Sequence, residues 1–288
     1  MLRLYPGKLP DLELMFDCED KPVVPLDMFH GPNAKPPPLF RYCSDQRSLD
    51  IVFPDWSFWG WAETNIKPWE NTLKDIKEGN KKTNWKDRIP YAYWKGNPYV
   101  APTRENLLQC NVTLENDWNT LLYIQDWVQE SNQGMVPLQH YWPIRDNSKC
   151  TSLKFAVEWG NNHTHKAQEI GEAGSKFIQE DLDMNNVYNY MFHLLNEYAK
   201  LLKFKPSIPR RAVEFCPEKL MECAVNGNKR MFMEESMVKV PSDSNPCTIP
   251  PPYDPLSLQE FLERKANSTK QVEIWEDEYW QIKEGTIV

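Results

Sequence analysis

The sequence predicts an α/β fold with a helical C-terminal end. Two observations predict it: short apolar strand-like runs interleave with helical stretches up to about residue 127, and helical spacing alone governs most of the remaining chain. No internal repeat is visible. The first strand is read over residues 9–22, LPDLELMFDCEDKP, where Leu12, Leu14, Phe16 and Cys18 alternate with Glu13, Met15 and Asp17 between Pro10 and Pro22. Gly31-Pro32 and Pro36-Pro37-Pro38 mark a loop, and Asp50 to Phe53 forms a second short strand before the ring-rich PDWSFWGWAE. Residues 69–79 form a helix through Trp69, Leu73 and Ile76, and the charged segment 77–88 returns to solvent. Tyr91 to Trp94 is a strand that ends at the turn Lys95-Gly96-Asn97-Pro98. A helix starts over Arg104 to Leu108, and Thr120 to Trp127 reads as strand or helix.

Helical periodicity is clearest over 165–182, with Ala167, Ile170, Phe177 and Leu182 on one face, and over 185–203, with Asn185 as the N-cap. Residues 206–255 read as a loop-rich, proline-broken extension. Two helices, 256–266 and 269–282, close the chain.

Composition narrows the function. The 288 residues carry 33 basic and 41 acidic side chains, a net charge of −8, which gives no footprint for nucleic acid or for an anionic membrane surface. No apolar run approaches the roughly 18 residues that cross a bilayer. Twenty-four prolines and 12 tryptophans stand against only 11 glycines, which disfavours Gly-rich phosphate loops and favours ring-lined grooves. The seven cysteines (Cys18, Cys43, Cys110, Cys150, Cys216, Cys223 and Cys247) lack zinc-site spacing and read as disulfide formers with one left over. Sequons at Asn111, Asn162 and Asn267 are compatible with glycosylation in a luminal setting.

Three constellations could carry chemistry. Asp20 leaves the carboxyl end of a strand, where an α/β sheet binds ligands and a carboxylate can act as a base; on the residues alone, capping a strand-end turn is the favoured role. Trp56, Trp59, Trp61 and nearby Trp69 form either a stacking platform for sugar or peptide, or a core. Lys95, Gly96, Asn97 and Arg104 combine a glycine turn with two cations suited to a phosphate-bearing donor. Asp181-Leu182-Asp183 has the spacing of a cation-binding DxD but falls at a helix end, where capping accounts for it. His163 and His165 lack a third ligand for zinc.

Taken in order, LPDLELMFDCEDKP, PDWSFWGW, YAYWKGN with Arg104, and HYWPIRD through LLKF resemble the CAP10, or rumi-like, protein O-glucosyltransferases (glycosyltransferase family 90). The tail, with CTIPPPYDP and WEDEYWQ, is similar to the plant branch. The resemblance implies a GT-B-like fold of two Rossmann-like domains, here partial, with a UDP-glucose or UDP-xylose donor between them and no metal or cofactor. It implies transfer to a protein or glycan hydroxyl with inversion, in the ER or Golgi lumen. Glu19-Asp20-Lys21-Pro22 matches the family's Arg-Asp-Tyr-Pro, so Asp20 inherits the role of general base although both its neighbours differ. Asn97 stands where the family has a donor-contacting serine, Arg104 matches its UDP-contacting arginine, and the Trp61–Trp69 stretch corresponds to its acceptor side.

The departures imply a division into 1–134 (partial acceptor-side Rossmann-like region), 135–205 (remnant of the donor-side domain) and 206–288 (proline- and cysteine-rich extension with terminal helices). Relatives carry an N-terminal leader or anchor and an early segment before the first strand. Relatives also carry roughly fifty residues after the position of Gly134, a third or more of a Rossmann-like domain. Loss of that donor-binding block implies an impaired catalyst. A non-catalytic glycan- or protein-binding module is the alternative reading.

Overall fold

The computed structural model describes residues 1–124, 135–213 and 227–285. The expected α/β class holds: the strands are parallel, and helices dominate the C-terminal part. Cys216, Cys223 and the whole Gln125–Gly134 segment that precedes the skipped block lie outside the described residues. The chain divides into two compact units. One comprises Met1–Lys74 with Asp183–Pro250, the other Asp75–Leu182 with Pro251–Val288.

In the first unit, β1 (Met15–Phe16), β2 (Leu39–Arg41) and β3 (Ile51–Val52) form a parallel sheet in that order. The strand expected over 9–22 shrinks to two residues for a reason visible in the register. Met15 pairs with Leu39, and Pro36, Pro37 and Pro38 before it have no N–H to extend the ladder. At the other end the Asp17 carboxylate accepts the Glu19 N–H at 3.1 Å and turns the chain out of the sheet. The helix α1 (Trp69–Lys82) continues three residues past the expected stop.

The core of this unit forms on the helix Met184–Leu201, where Val187, Met191 and Leu195 recur every fourth residue and Tyr188 lies beside them. Met1, Leu4, Phe53, Phe58, Trp59 and Val238 pack against that face. Asp183, not Asn185, is the N-cap, its carboxylate accepting the Asn185 N–H at 2.7 Å, which accounts for the second acid of the DxD-like triplet. The buried Asn189 oxygen accepts from the Tyr5 hydroxyl (3.0 Å) and the Cys247 N–H (3.2 Å), tying the N-terminal turn to the late loop.

The second unit carries β4 (Ala92–Gly96) and β5 (Thr120–Ile124), parallel and in register from Ala92↔Thr120 to Gly96↔Ile124. Of the Thr120–Trp127 segment, open between strand and helix in the sequence, Thr120–Ile124 is strand and the rest lies outside the described residues. The short helix α2 (Pro102–Glu105) lies between the two strands in sequence. Helices α3 (Lys149–Asn162) and α4 (Thr164–Lys176) come next, then α5 (Met184–Leu201, in the first unit) and α6 (Asn228–Ser236, also in the first unit). The last helix, α7 (Pro255–Gly285), is continuous where two helices were expected. The Ser268 and Thr269 hydroxyls donate to the carbonyls of Arg264 and Lys265, four residues back, so the polar Asn267-Ser268-Thr269 stretch is absorbed into the helix.

Trp142 is the centre of this unit's aromatic core. Its ring lies 4.3 Å from Trp159 and 6.3 Å from Trp275, and Phe155 packs on Tyr279. Arg145 binds α7 through Asp277 (2.6 Å) and the Glu273 carbonyl (2.6 Å). Glu276, 1% exposed, accepts from the Ser152 hydroxyl at 2.9 Å. A disulfide joins Cys110 to Cys150 near the start of α3.

These contacts make two outcomes for stability measurable. Replacing Cys110 and Cys150 together by serine releases a loop of 40 residues and lowers unfolding free energy in urea by up to about 4 kcal/mol on loop entropy. Burial holds the Glu276 carboxyl above its ordinary range, against the Ser152 hydrogen bond and the Arg145 charge. The folded chain therefore keeps a proton that the unfolded chain has lost, and stability falls as pH rises from the ordinary carboxylate pKa through the raised one. Glu276→Gln removes this fall, so the urea midpoint of the variant gains on that of the parent as pH rises above the ordinary carboxylate range.

Candidate functional site

Because β1, β2 and β3 are parallel, the chain leaves all three at one edge. Asp20 follows β1, Tyr42 and Cys43 follow β2, and Asp55 follows β3. The segment Asp17–Val24 that carries Asp20 is held at both ends. At its start, the Arg41 guanidinium is paired with Asp17. At its end, the Asp50 carboxylate accepts the N–H groups of Val23 (3.1 Å) and Val24 (3.0 Å). Arg41 links the two anchors, with Nε 4.0 Å from Asp50 and its side chain 1% exposed. In the middle, the Cys43 thiol donates to the Asp20 carbonyl. The Asp20 side chain itself is exposed.

Tyr42 lies within electrostatic reach of this edge. Its hydroxyl is pushed well above the usual phenol range, first by burial, then by its hydrogen bond to Cys18 and by the charges of Asp55 and Asp20. Tyr42 therefore keeps its proton at neutral pH. Burial is also the main cause that raises the Cys43 thiol.

The aromatic segment begins at the same edge. Asp55 caps a 3-10 turn, Trp56–Trp59, by accepting the Ser57 N–H at 2.7 Å. Gly60 follows with φ of 97°, and Trp61 forms an antiparallel bridge with Ile66. The rings of Trp56 and Trp61 meet edge-to-face at 4.4 Å. They border a cavity of about 320 Å³ that Trp59, Glu63, Lys229 and Phe232 also line. Trp59 is partly committed elsewhere, since its indole N–H donates to the Tyr188 hydroxyl at 2.9 Å. Of the three tryptophans expected on the acceptor side, Trp59 and Trp61 line the cavity. Trp69, 8% exposed, packs on Phe58 in the interior.

The expected donor residues gather at the carboxyl end of β4, in the second unit. Lys95 is exposed and Gly96 buried. A Cβ at Gly96 would lie 2.8 Å from the Trp94 indole, so the absent side chain lets that ring fold over the strand end. The Asn97 oxygen accepts the Tyr99 N–H at 2.9 Å and caps the next turn, which leaves its amide NH₂ as the group to offer a ligand. Arg104 is half-buried on α2.

The other candidates take local roles. The His163 ring stacks on Trp159 at 4.5 Å, and His165 sits 3.1 Å from Glu169 on the surface of α4. Among the described residues no group of three or more His, Cys, Asp or Glu side chains could hold a metal ion, and no helix is long and apolar enough to cross a membrane. The Asn111 oxygen accepts the Leu122 N–H at 3.1 Å. Asn162 ends α3, and Asn267 lies on the exposed surface of α7. Sequence reasoning missed Arg41 and Asp50 as supports of the Asp20 segment, although an arginine inside the apolar run Leu39-Phe40-Arg41-Tyr42 was a readable signal. It also missed α6, which no local pattern announced as a wall of the cavity.

The family model described as glycosyl transferase family 90 matches residues 1–135 and 131–276. The chain belongs to glycosyl transferase family 90. Human "Protein O-glucosyltransferase 1" is 22% identical over 260 residues, covering 69% of this chain and 64% of that protein. The "O-glucosyltransferase rumi homolog" of Aedes aegypti is 23% identical over 267 residues, covering 72% and 65%. "O-glucosyltransferase rumi" of Drosophila melanogaster is 20% identical over 272 residues, covering 73% and 66%. The chain thus spans just under two thirds of the length of these family 90 relatives. In the human alignment, 69% of 288 residues is about 199 against 260 aligned positions, so about 60 positions have no counterpart here. The family model itself breaks at residues 131–135, where the sequence places the skipped block.

The supports of Asp20 can be tested by substitution. Asp50→Ala leaves the buried Arg41 charge and the N–H groups of Val23 and Val24, the latter buried, short of a partner and lowers stability by about 3–5 kcal/mol in chemical unfolding. Asp17→Asn, at the more exposed end of the network, costs less than half as much.

Proposed function

We propose that this family 90 chain is a glycosyltransferase that moves glucose or xylose from a UDP-sugar to a protein or glycan hydroxyl. The observation that carries the reading is the position of Asp20, exposed at the carboxyl edge of a parallel sheet and held by anchors on either side. Asp20 accepts the proton of the acceptor hydroxyl as its oxygen attacks the anomeric carbon. The attack comes from the face opposite UDP, so the sugar is transferred with inversion. Trp61 and Trp59 border the acceptor side. Arg104 and Lys95 offset donor phosphate charge without a metal, while the Asn97 NH₂ donates a hydrogen bond and Gly96 makes room for the Trp94 ring beside them.

The aligned positions without counterpart support a weakened donor site in this form, since the skipped block adjoins the donor side of relatives. The Cys110–Cys150 disulfide and the three sequons support residence in an oxidising lumen, the ER or Golgi, with glycans on Asn111, Asn162 or Asn267.

Asp20→Asn lowers transfer from radiolabelled UDP-glucose or UDP-xylose by about 10²–10⁴-fold while donor binding by calorimetry stays unchanged. Transfer that survives the substitution removes Asp20 from the role. UDP-glucose binds this chain more weakly than micromolar, and a sub-micromolar dissociation constant would overturn the weakened donor site.

A further inference from the structure

The cavity bordered by Trp56 and Trp61 has a wall that comes from far along the chain. Phe232 of α6 is 3% exposed and seats against Gly60, where a Cβ would stand 3.0 Å from Pro68 and 3.2 Å from the Phe232 ring. The missing side chain at Gly60 and its φ of 97° are thus what admit α6 to this position. A second tie, from the Asn71 amide to Glu235 at 2.7 Å, holds the same helix. Across the mouth, the Lys229 ammonium lies 3.5 Å from the Glu63 carboxylate, both side chains more than half exposed.

We propose that this cavity is a pyranose-binding subsite for a neutral glycan, with Glu63 and Lys229 as the residues that set its specificity. The proposal rests on the acceptor-side reading above and deepens it by choosing glycan over peptide. Three observations favour that choice. The edge-to-face corner of Trp56 and Trp61 offers ring surface to the C–H face of a sugar. Backbone groups of the lining are already paired: Trp61 N–H and C=O with Ile66, and Gly60 N–H with the Ser57 carbonyl. A peptide strand therefore finds no free edge there. Finally, the lip presents one acceptor and one donor of opposite charge, which suits hydroxyls that both accept and donate. A charged ligand would meet one like charge. The volume of about 320 Å³ lies at the small end of ligand sites, the scale of one or two sugar rings.

The test is titration of the full chain, by tryptophan fluorescence and calorimetry, with neutral β-linked gluco- and xylo-oligosaccharides, a uronic acid oligosaccharide and a serine-containing peptide. Saturable binding of a neutral oligosaccharide is expected, weakened at least about tenfold by Trp61→Ala. Glu63→Gln and Lys229→Met, both at exposed positions that leave the fold intact by circular dichroism, are expected to weaken it severalfold. No binding of any neutral oligosaccharide, equal binding of the uronic acid oligosaccharide, or peptide binding that is lost in Trp61→Ala would each overturn the subsite. Sugar binding without any transfer by the parent chain would count against the proposed activity and leave the subsite standing.

Discussion

Arg41 is the residue on which the sheet edge that carries Asp20 depends. A guanidinium buried on the central strand of a three-stranded sheet is tolerable only if carboxylates surround it, and Asp17 and Asp50 supply them from the exit of β1 and the entry of β3. The same Asp50 carboxylate takes the N–H groups of Val23 and Val24. One charge cluster thus fastens both ends of the segment that carries Asp20. The sheet itself contributes little rigidity, because β1 and β3 contain two residues each. Electrostatics, rather than ladder length, holds the acid in place.

The aromatic residues divide between support and surface. Trp69 and Phe58 fill the interior of the first unit, and Trp59 is pinned by the Tyr188 hydroxyl, while Trp56 and Trp61 stay at the cavity. In the second unit Trp142, Trp159 and Trp275 bring α3 and α7 into one core. The proline- and cysteine-rich stretch after residue 206 is structural in both units. Its helix α6 packs through Phe232 in the first, and α7 packs through Val272 and Glu276 in the second.

Much of the order of elements was legible because periodicity and proline position are local properties. The helix after residue 184 and the strand before Gly96 fall close to where spacing puts them. The first strand was overread because its length is limited by three prolines on its partner, not by its own alternation. Helix α3 was not read at all. Its sequence mixes Ser152, Lys154 and Glu158 among apolar residues, and its burial depends on Trp142, Cys110 and α7, which lie elsewhere in the chain. The terminal helix was divided at Asn267-Ser268-Thr269 because hydroxyl residues signal a break until their bonds to the preceding turn are known.

By itself the sequence determined the α/β class, the resemblance to family 90, and the place of Asp20 where an apolar run gives way to a polar turn. Those are properties of neighbouring residues and of motifs in order. Tertiary structure alone decided that Trp61 lines a cavity while Trp69, eight residues on, is buried. It alone decided that Arg41 and Asp50 clamp the Asp20 segment, and that a helix from the late extension walls the groove. An indole or a carboxylate has the same local preferences in either setting. What separates the outcomes is the partner that packs on it, and those partners come from distant parts of the chain.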